Sequence, residues 1–361
     1  MKVNIKKVTR VGKNSVLSSK NLFLKNFDGI LRPKWLVFMT TDKCNSRCRH
    51  CNIWENKGVE NPLTPKELEK TLKDPVFRDV KEIINTGGEA TLRNDLEELF
   101  LAEHRALPKA VLQLSTNAII PQRTVSLAKT LLGRNIQLSI GVSLDGVGEH
   151  HDSVRGIPGN FKRVDWLVHE LIKLKEQYGD KLSFGLGFTL SSLTVDYMKE
   201  VQEYGKNLGV DVLVQWYNEA PSFYDNYGRK FDEKEKELSA AVKSLPASFL
   251  NEKWLEYQKG ESIKFPCFSM YTFCVLKTNG DIAPCLTYFD KSAGNVREKS
   301  PTEIWKSVEA RELRKVVRGC AGCLNQWGAG WSFESCIYSV LSFYLQNPQK
   351  LMARFKERGI E

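Results

Sequence analysis

The stretch TTDKCNSRCRHCNIW at residues 40–54 places Cys44, Cys48 and Cys51 in a C-x3-C-x2-C spacing. Three thiolates on one short loop can hold three corners of a cubane 4Fe-4S cluster and leave the fourth iron open. A closed zinc site needs a fourth ligand, and the local candidate, His50, lies between two cysteines, where its ring normally points elsewhere. The spacing therefore predicts a cluster with one open iron. A zinc-binding loop or a set of unrelated buried thiols is the alternative.

The composition is that of a cytoplasmic globular protein. The chain has 361 residues, of which 42% are hydrophobic and 27% are charged, and no apolar run reaches the length of a membrane span. The N-terminus lacks the apolar core of a secretory signal. Nine cysteines in a reducing compartment favour metal ligation over disulfides, and an odd number cannot pair completely.

Positive charge is concentrated at the N-terminus. The net charge is +10, and residues 1–35 contain nine Lys or Arg against the single Asp28. A charge run of this kind is most often a solvated surface. The alternative is that it binds anionic lipid headgroups, a phosphorylated substrate or nucleic acid. We expect no nucleic-acid partner. An anionic membrane surface, contacted peripherally by a cytoplasmic protein, is kept as the alternative to a solvated arm.

Strand-like and helix-like segments alternate after residue 34. A helix with Thr64 as its N-cap and Pro65 at its first position is predicted after the cysteine loop. Six apolar strands with helical crossovers predict an α/β fold, a partial (βα)6 TIM-like barrel with its catalytic groups at the carboxyl ends of the strands. The predicted strands span 35–40, 80–85, 110–115, 136–144, 182–190 and 210–216, and further helices are predicted near 94–105, 121–133, 160–177 and 194–208.

The cysteine loop at the end of the first strand resembles the signature of the radical S-adenosylmethionine (SAM) enzymes. The resemblance implies that the open iron chelates the amino and carboxylate groups of SAM. In that family an electron from the cluster splits SAM into methionine and a 5'-deoxyadenosyl radical, which takes a hydrogen atom from the substrate. The implied cofactors are SAM and a radical-generating 4Fe-4S cluster held by Cys44, Cys48 and Cys51.

Residues at three further strand ends match SAM-binding motifs of the family. The GGE at residues 87–89 resembles the motif that receives the SAM amine, and its glycines are expected to let the backbone approach a ligand closely. Polar side chains follow the third strand, where the family binds ribose or adenine. The fourth strand opens the string SLDG…HD…RG…F, in which Arg155 suits the SAM carboxylate. The implied SAM-binding residues are Gly87, Gly88, Glu89, Ser115, Asn117, Ser143 and Arg155.

Other residues near these motifs are assigned less directly. Turn or cap chemistry explains Asp145 as well as a functional role does. His150 and His151 are predicted to lie in a surface loop. The aromatic segment at residues 215–227 is the candidate substrate-facing segment. The sequence identifies no catalytic acid or base, and the candidates are Tyr217, Glu219, Tyr224 and Asp225.

A second set of cysteines lies in the C-terminal third. Two of them flank the hairpin signal TNGD at residues 278–281, and a C-x2-C pair follows at residues 320–323. Four thiolates complete a cluster that has no open iron. The arrangement resembles the SPASM/twitch auxiliary iron-sulfur domain, in its twitch form with one extra 4Fe-4S cluster. Its implied ligands are Cys267, Cys285, Cys320 and Cys323.

Two cysteines, Cys274 and Cys336, are left without an assignment. They either replace expected ligands, bind a second incomplete cluster, or are buried or redox-active thiols. The chain divides into five predicted units. These are a basic arm (1–33), the radical SAM barrel (34–218), a charged helical bridge (219–266), a small α+β SPASM/twitch domain (267–340) and a C-terminal helix (341–361).

The resemblance predicts an enzyme that abstracts hydrogen from its substrate, and it does not identify that substrate. We expect a small metabolite, sugar-, cyclitol- or lipid-like, that undergoes oxidation, rearrangement or coupling. The expected partners of the enzyme are that substrate and a reductant such as flavodoxin or ferredoxin. The first alternative is a peptide-modifying enzyme of the same family. Such enzymes often carry a leader-peptide recognition domain, for which 33 residues before the first strand are too few. A noncatalytic zinc-binding interaction protein and an electron-transfer or cluster-scaffold protein are the alternatives from other classes.

Overall fold

In a computed structural model of the chain, the described residues are 31–220, 222–226, 234–246, 248–261, 267–320 and 326–335, together with Asn21, Lys25 and Gln349. Most of the basic arm, Cys323, Cys336 and all but one residue of the predicted C-terminal helix lie outside them. None of the described helices is long and apolar enough to cross a membrane.

An eight-stranded sheet organises the fold, in the order β6-β5-β4-β3-β2-β1-β7-β8. The first six strands are parallel to their neighbours, which confirms the α/β class and the partial barrel. The predicted hairpin is also present, and it extends the barrel sheet because β7 pairs in parallel with β1. The strands are β1 Trp35–Thr41, β2 Glu82–Gly87, β3 Val111–Thr116, β4 Leu138–Ser143, β5 Leu182–Leu190, β6 Val212–Trp216, β7 Phe273–Leu276 and β8 Ile282–Ala283.

Helices connect the parallel strands as expected. The first begins with a capping box, in which the Thr64 side chain accepts from Glu67 N while the Glu67 carboxylate accepts from Thr64 N. The short helix α4 and the helices α9 to α11 of the C-terminal region were not individually predicted, and the charged bridge contains two helices. The helices are α1 Pro65–Leu72, α2 Leu96–Ala106, α3 Pro121–Gly133, α4 Glu149–Arg155, α5 Asn160–Tyr178, α6 Met198–Leu208, α7 Glu235–Ser244, α8 Phe249–Gln258, α9 Pro301–Lys306, α10 Val308–Gly319 and α11 Gln326–Ser335.

The two faces of β1 serve different cores. Leu36 and Phe38 pack in the larger core against the helices, while Val37 and Met39 belong to a second core inside the barrel. This division follows from the alternation of side chains along a strand. On β7, Cys274 faces the helix-side core in the same way, and it is completely buried there.

One lysine of the basic arm is packed rather than solvated. Lys25 is 8% exposed, and its ammonium lies 4.9 Å from the ring centre of Phe268 and 5.5 Å from that of Tyr271. Asn21 Nδ2 donates to Ser335 O at 3.0 Å. These two residues attach that part of the arm to the C-terminal unit, which corrects the expectation of a wholly solvated arm.

Candidate active site

A cavity of about 560 Å³ opens at the carboxyl ends of the strands, where catalytic groups were expected. The cysteine loop forms one part of its wall, and β7, the segment after β8 and the C-terminal helices form another. Both sets of cysteines face this one space. Those that line it are Cys44, Cys48 and Cys51 of the first set and Cys267, Cys285 and Cys320 of the second.

The first cysteine loop is docked on α4. Arg47 N donates to Arg155 O at 3.0 Å and Arg49 N donates to Val154 O at 2.9 Å. The chain turns away through Gly156, with φ +66°, where a Cβ would lie 2.5 Å from Arg47 O. A residue without a side chain is therefore required for the loop to lie this close.

The thiols of this loop are largely withdrawn from water. Burial raises the pKa of Cys44 to about 11 and that of Cys51 to about 12. Among the described residues, no three His, Cys, Asp or Glu side chains converge closely enough to hold a single metal ion.

The paired glycines allow the cysteine loop to lie close to the end of β2. A Cβ on Gly87 would lie 2.3 Å from Thr41 O, and one on Gly88 would lie 2.0 Å from Lys43 O. Gly88 N donates to Thr41 O and Glu89 N donates to Lys43 O, both at 2.8 Å. The close contact seen here is with the chain itself. Both glycines also line the cavity, and their approach to a ligand stays a prediction.

Glu89 is a buried acceptor with several donors of its own. Oε1 accepts from Thr91 Oγ1 at 2.6 Å and from Thr116 Oγ1 at 2.8 Å, and Oε2 accepts from Asn117 N at 2.7 Å. Burial raises the pKa of Glu89 despite these hydrogen bonds. The residue lines the cavity, and its contact with the SAM amine stays a prediction. Ser115, Asn117 and Ser143 line the same cavity.

Asp145 and Arg155 form a buried ion pair. Asp145 Oδ2 lies 2.7 Å from an Arg155 terminal nitrogen, and Oδ1 accepts from Thr189 N at 2.8 Å. Asp145 is completely buried, and turn or cap chemistry does not account for it. The Arg155 charge contributes to holding the pKa of Asp145 below its usual range, against the effect of burial.

Both neighbouring histidines lie in helix α4 and not in a loop, and of the two His150 is at the surface as predicted while His151 is not. His151 is completely buried; its Nδ1 accepts from Asp145 N at 3.1 Å and its Nε2 lies 2.9 Å from Asn160 Nδ2. Burial and the nearby Arg155 lower the pKa of His151 to about 4. His150 is half exposed, stacks on Tyr197 and contacts Glu200.

The described cysteines of the second set lie on two different sides of the sheet. Cys267, Cys285 and Cys320 face the cavity. Cys274 points to the opposite side of the sheet, where burial raises the pKa of its thiol. It is a core thiol and not a ligand on the cavity side. Cys323 and Cys336 lie outside the described residues.

Two family models match the chain. The radical SAM superfamily model covers residues 38–189, and that of an iron-sulfur cluster-binding domain, SPASM, covers residues 267–324. The chain belongs to the radical SAM superfamily. It is therefore a radical SAM enzyme, which replaces the zinc-binding and scaffold alternatives.

Curated relatives of this radical SAM enzyme have several activities. An AdoMet-dependent heme synthase of Methanosarcina barkeri is 25% identical over 81% of this chain and 91% of its own. A GTP 3',8-cyclase of Sulfurimonas denitrificans is 24% identical over 90% of this chain and 99% of its own. Streptococcus suis SuiB, solved with its precursor peptide SuiA, has the same fold at 18% identity and a TM-score of 0.60, over 82% of this chain and 70% of that one.

Membership implies SAM, the radical-generating 4Fe-4S cluster and at least one auxiliary 4Fe-4S cluster. The residues present fit these groups. Three cysteines of each set face one cavity. Arg155 Nε is buried without an acceptor among the described residues, which leaves a guanidinium N–H for an anionic group such as the SAM carboxylate.

A hollow barrel interior was missed in the sequence. Along β4, Leu138, Ile140 and Val142 are buried, while the small residues between them face the cavity. The adjacent strand β5 repeats this pattern, with Gly185 and Gly187 aligned beside β4. The signal was present as a period-2 alternation of large apolar and small residues. The cavity-lining residues missed on β3, β4 and β5 are Gln113, Ser139, Gly141, Gly185, Gly187 and Thr189.

The segment after β6 reaches from the barrel to both cysteine regions. Tyr224 O accepts from Asn52 N at 2.8 Å, next to Cys51, and Ser222 Oγ donates to Thr287 O at 3.3 Å. Of the four acid-base candidates, Tyr217 and Tyr224 line the cavity. Glu219 and Asp225 are not among its lining residues, and the assignment of an acid or base stays a prediction.

Proposed function

We propose that this radical SAM enzyme abstracts hydrogen from a small, uncharged metabolite that has a hydrogen-bonding part and an apolar part. The observation that carries the proposal is the chemistry of the cavity wall. Among the described lining residues, the basic side chains are His50 and Arg155, and the acidic one is Glu89. Arg155 is already paired with Asp145.

The neutral polar side chains of the cavity wall support recognition of neutral polar groups. Gln113, Ser139, Thr189 and Gln215 offer amides and hydroxyls from four neighbouring strands. These groups both donate and accept hydrogen bonds, as hydroxyl groups of a sugar- or cyclitol-like molecule require. Ligand sites commonly combine a few such polar groups with an apolar wall.

Apolar and aromatic side chains of the same wall support an apolar portion of the substrate. Leu213 lines the cavity on the edge strand β6, yet 59% of it is exposed. Phe223, Tyr224, Leu286 and Tyr288 face the same space. An exposed leucine beside aromatic rings favours a lipid-linked or otherwise amphipathic substrate over a polyol alone.

The same wall argues against strongly anionic substrates. A nucleoside triphosphate needs several cations to compensate its charge, and the described lining residues offer Arg155 and His50. A macrocycle that carries carboxylates meets the same difficulty. The alignment over 91% of a heme synthase nevertheless makes a tetrapyrrole the second candidate, and a peptide, as in the SuiB complex, the third.

The side chains of the protein then have separate tasks. When bound, the cluster and SAM supply the one-electron chemistry that removes a hydrogen atom. Cys44, Cys48 and Cys51 would hold the cluster, and Arg155 Nε would orient the SAM carboxylate. Phe223 and Tyr224 would exclude water and stray hydrogen donors from the reacting carbon. Cys267, Cys285 and Cys320 would hold the auxiliary cluster within the same cavity.

The test is an anaerobic assay of 5'-deoxyadenosine after cluster reconstitution, with dithionite and SAM. Roughly eight irons per chain are expected for one radical and one auxiliary cluster, and roughly twelve for two auxiliary clusters. An alkyl glycoside, a coproporphyrin, GTP and a short peptide are added in parallel. We expect the neutral amphipathic compound to increase deoxyadenosine formation most. Stimulation by GTP or the porphyrin alone would overturn the substrate proposal.

A further inference from the structure

Asp145 and Arg155 connect the barrel strands to the first cysteine loop. Asp145 follows β4 and holds β5 through the hydrogen bond from Thr189 N, at 2.8 Å. Its other oxygen lies 2.7 Å from the Arg155 guanidinium. The ion pair is removed from water, since the Asp145 side chain is 0% exposed and that of Arg155 is 10% exposed.

Arg155 reaches the cysteine loop with both its side chain and its backbone. One terminal nitrogen donates to Cys48 Sγ at 3.7 Å. Its carbonyl accepts from Ser46 Oγ at 3.1 Å and from Arg47 N at 3.0 Å. Ser46 Oγ also lies 3.0 Å from Cys48 Sγ. Cys48 thus has a charged neighbour that Asp145 holds in one orientation.

We propose that Asp145 is a positioning residue that sets the reduction potential of the cluster held by Cys44, Cys48 and Cys51, acting through Arg155. The proposal rests on the proposed function only in assuming that this cluster is present. Hydrogen bonds to ligand sulfurs and nearby charge tune the potentials of iron-sulfur clusters. Buried charges act strongly because little water screens them.

The direction of the effect follows from the charges. Reduction adds negative charge to the cluster, so the guanidinium at Cys48 favours the reduced form. The Asp145 carboxylate opposes this, because it offsets much of the guanidinium charge while keeping the guanidinium in place. The pair therefore combines a fixed N–H···S contact with a small net charge, and the potential stays lower than an unpaired arginine would make it.

The decisive variant is Asp145→Asn, which keeps an oxygen acceptor for Thr189 N but removes the charge. In an EPR-monitored titration of the reconstituted full chain without SAM, we expect a positive shift in the potential of this cluster. Its signal is identified as the one that is lost in Cys44→Ala. The matched control is Glu149→Gln, which removes one charge from an exposed position of the same helix.

Two further variants keep the test decisive if Asp145→Asn folds poorly. Asp145→Glu retains the charge and should stay near the wild-type potential. Arg155→Lys should lower the potential, because an ammonium cannot contact both Asp145 and Cys48 in the way a forked guanidinium does. An unchanged potential in Asp145→Asn or Arg155→Lys, or an equal shift in Glu149→Gln, would overturn the proposal. Absence of deoxyadenosine in the wild type bears on the proposed function instead, because the titration needs no SAM cleavage.

Discussion

Glu103 is a carboxylic acid buried in the core without a basic partner among the described residues. Its Oε2 accepts from Asn85 Nδ2 at 3.0 Å, and Asn85 Oδ1 accepts from Thr40 Oγ1 at 3.2 Å. All three residues are completely buried. The chain of hydrogen bonds runs from α2 through β2 to the end of β1, where the cysteine loop begins. A neutral Glu103 suits this position, since burial raises its pKa from 4.5 to about 8.

Stability should therefore fall as the pH rises from about 4.5 to about 8. In that window the unfolded chain has lost the Glu103 proton while the folded chain keeps it, so raising the pH favours unfolding. The raised pKa corresponds to a loss of about 4–5 kcal/mol across the window. Glu103→Gln cannot ionise and should be more stable than the wild type near pH 8. Anaerobic urea unfolding between pH 5 and 9 measures the difference.

The control for this prediction is Glu98→Gln, an exposed position of the same helix. It should leave the pH dependence of the free energy of unfolding unchanged. If the free energy of unfolding varied with pH in the same way in the wild type and in Glu103→Gln, Glu103 would not be a neutral acid in the folded protein.

Gly88→Ala should displace the cysteine loop. The added Cβ would lie 2.0 Å from Lys43 O, and a backbone atom cannot move aside as the end of a side chain can. Overpacking of this kind costs about 1–3 kcal/mol or more, and here the shift falls on the residue before Cys44. We expect a lower iron content after reconstitution. Gly133→Ala, where a Cβ has no neighbour within 4 Å, is the control, and equal iron in both variants would refute the steric argument.

Elements whose apolar pattern is strong were predictable from the sequence. The bounds of β5 and α3 agree residue for residue with the prediction. Helix α4 was missed because its seven residues, EHHDSVR, have no apolar periodicity. Its burial depends on a polar contact instead, the ion pair of Arg155 with Asp145, and such a pairing is not encoded in any local pattern.

The glycines of β4 and β5 should be replaceable without loss of the fold. A Cβ at Gly141 or Gly187 would have its nearest neighbour at 3.9 Å, and β-branched residues favour strands. Gly187→Val should therefore keep or raise the melting temperature. The expected gain in the free energy of unfolding is up to about 1 kcal/mol. The same side chain fills part of the cavity, so affinity for ligands bound there should fall.

Gly185→Val is the comparison, because its Cβ would lie 3.2 Å from Asp211 O and should cost stability. Melting temperatures and equilibrium binding of SAM separate the two effects. If Gly187→Val lowered the melting temperature as much as Gly185→Val, the interior would be packed rather than hollow at that position.

At the scale of the whole molecule, the two cysteine regions are joined by a continuous sheet. Strand β7 pairs with β1 along Trp35–Phe38. Thr278 Oγ1, in the hairpin, donates to Met39 O and to Asp42 Oδ1, both at 2.9 Å, immediately before Cys44. The hairpin itself was predictable from its turn residues. Its pairing with β1 was not, because a contact between residues more than two hundred positions apart leaves no local signal.

Cys285→Ala and Cys274→Ala should therefore differ although both lie in the hairpin region. Cys285 faces the cavity, so its loss should remove the auxiliary cluster and lower the iron from roughly eight to about four per chain. The radical-generating cluster should remain, and SAM cleavage without substrate turnover should persist. Cys274 packs in the core on the other face of the sheet, so its variant should keep the full iron content and lose only packing stability. Iron and sulfide counts on the two variants show which of the two cysteines is a cluster ligand. A loss of iron in Cys274→Ala would show that the cavity side is not the only side of this sheet that binds metal.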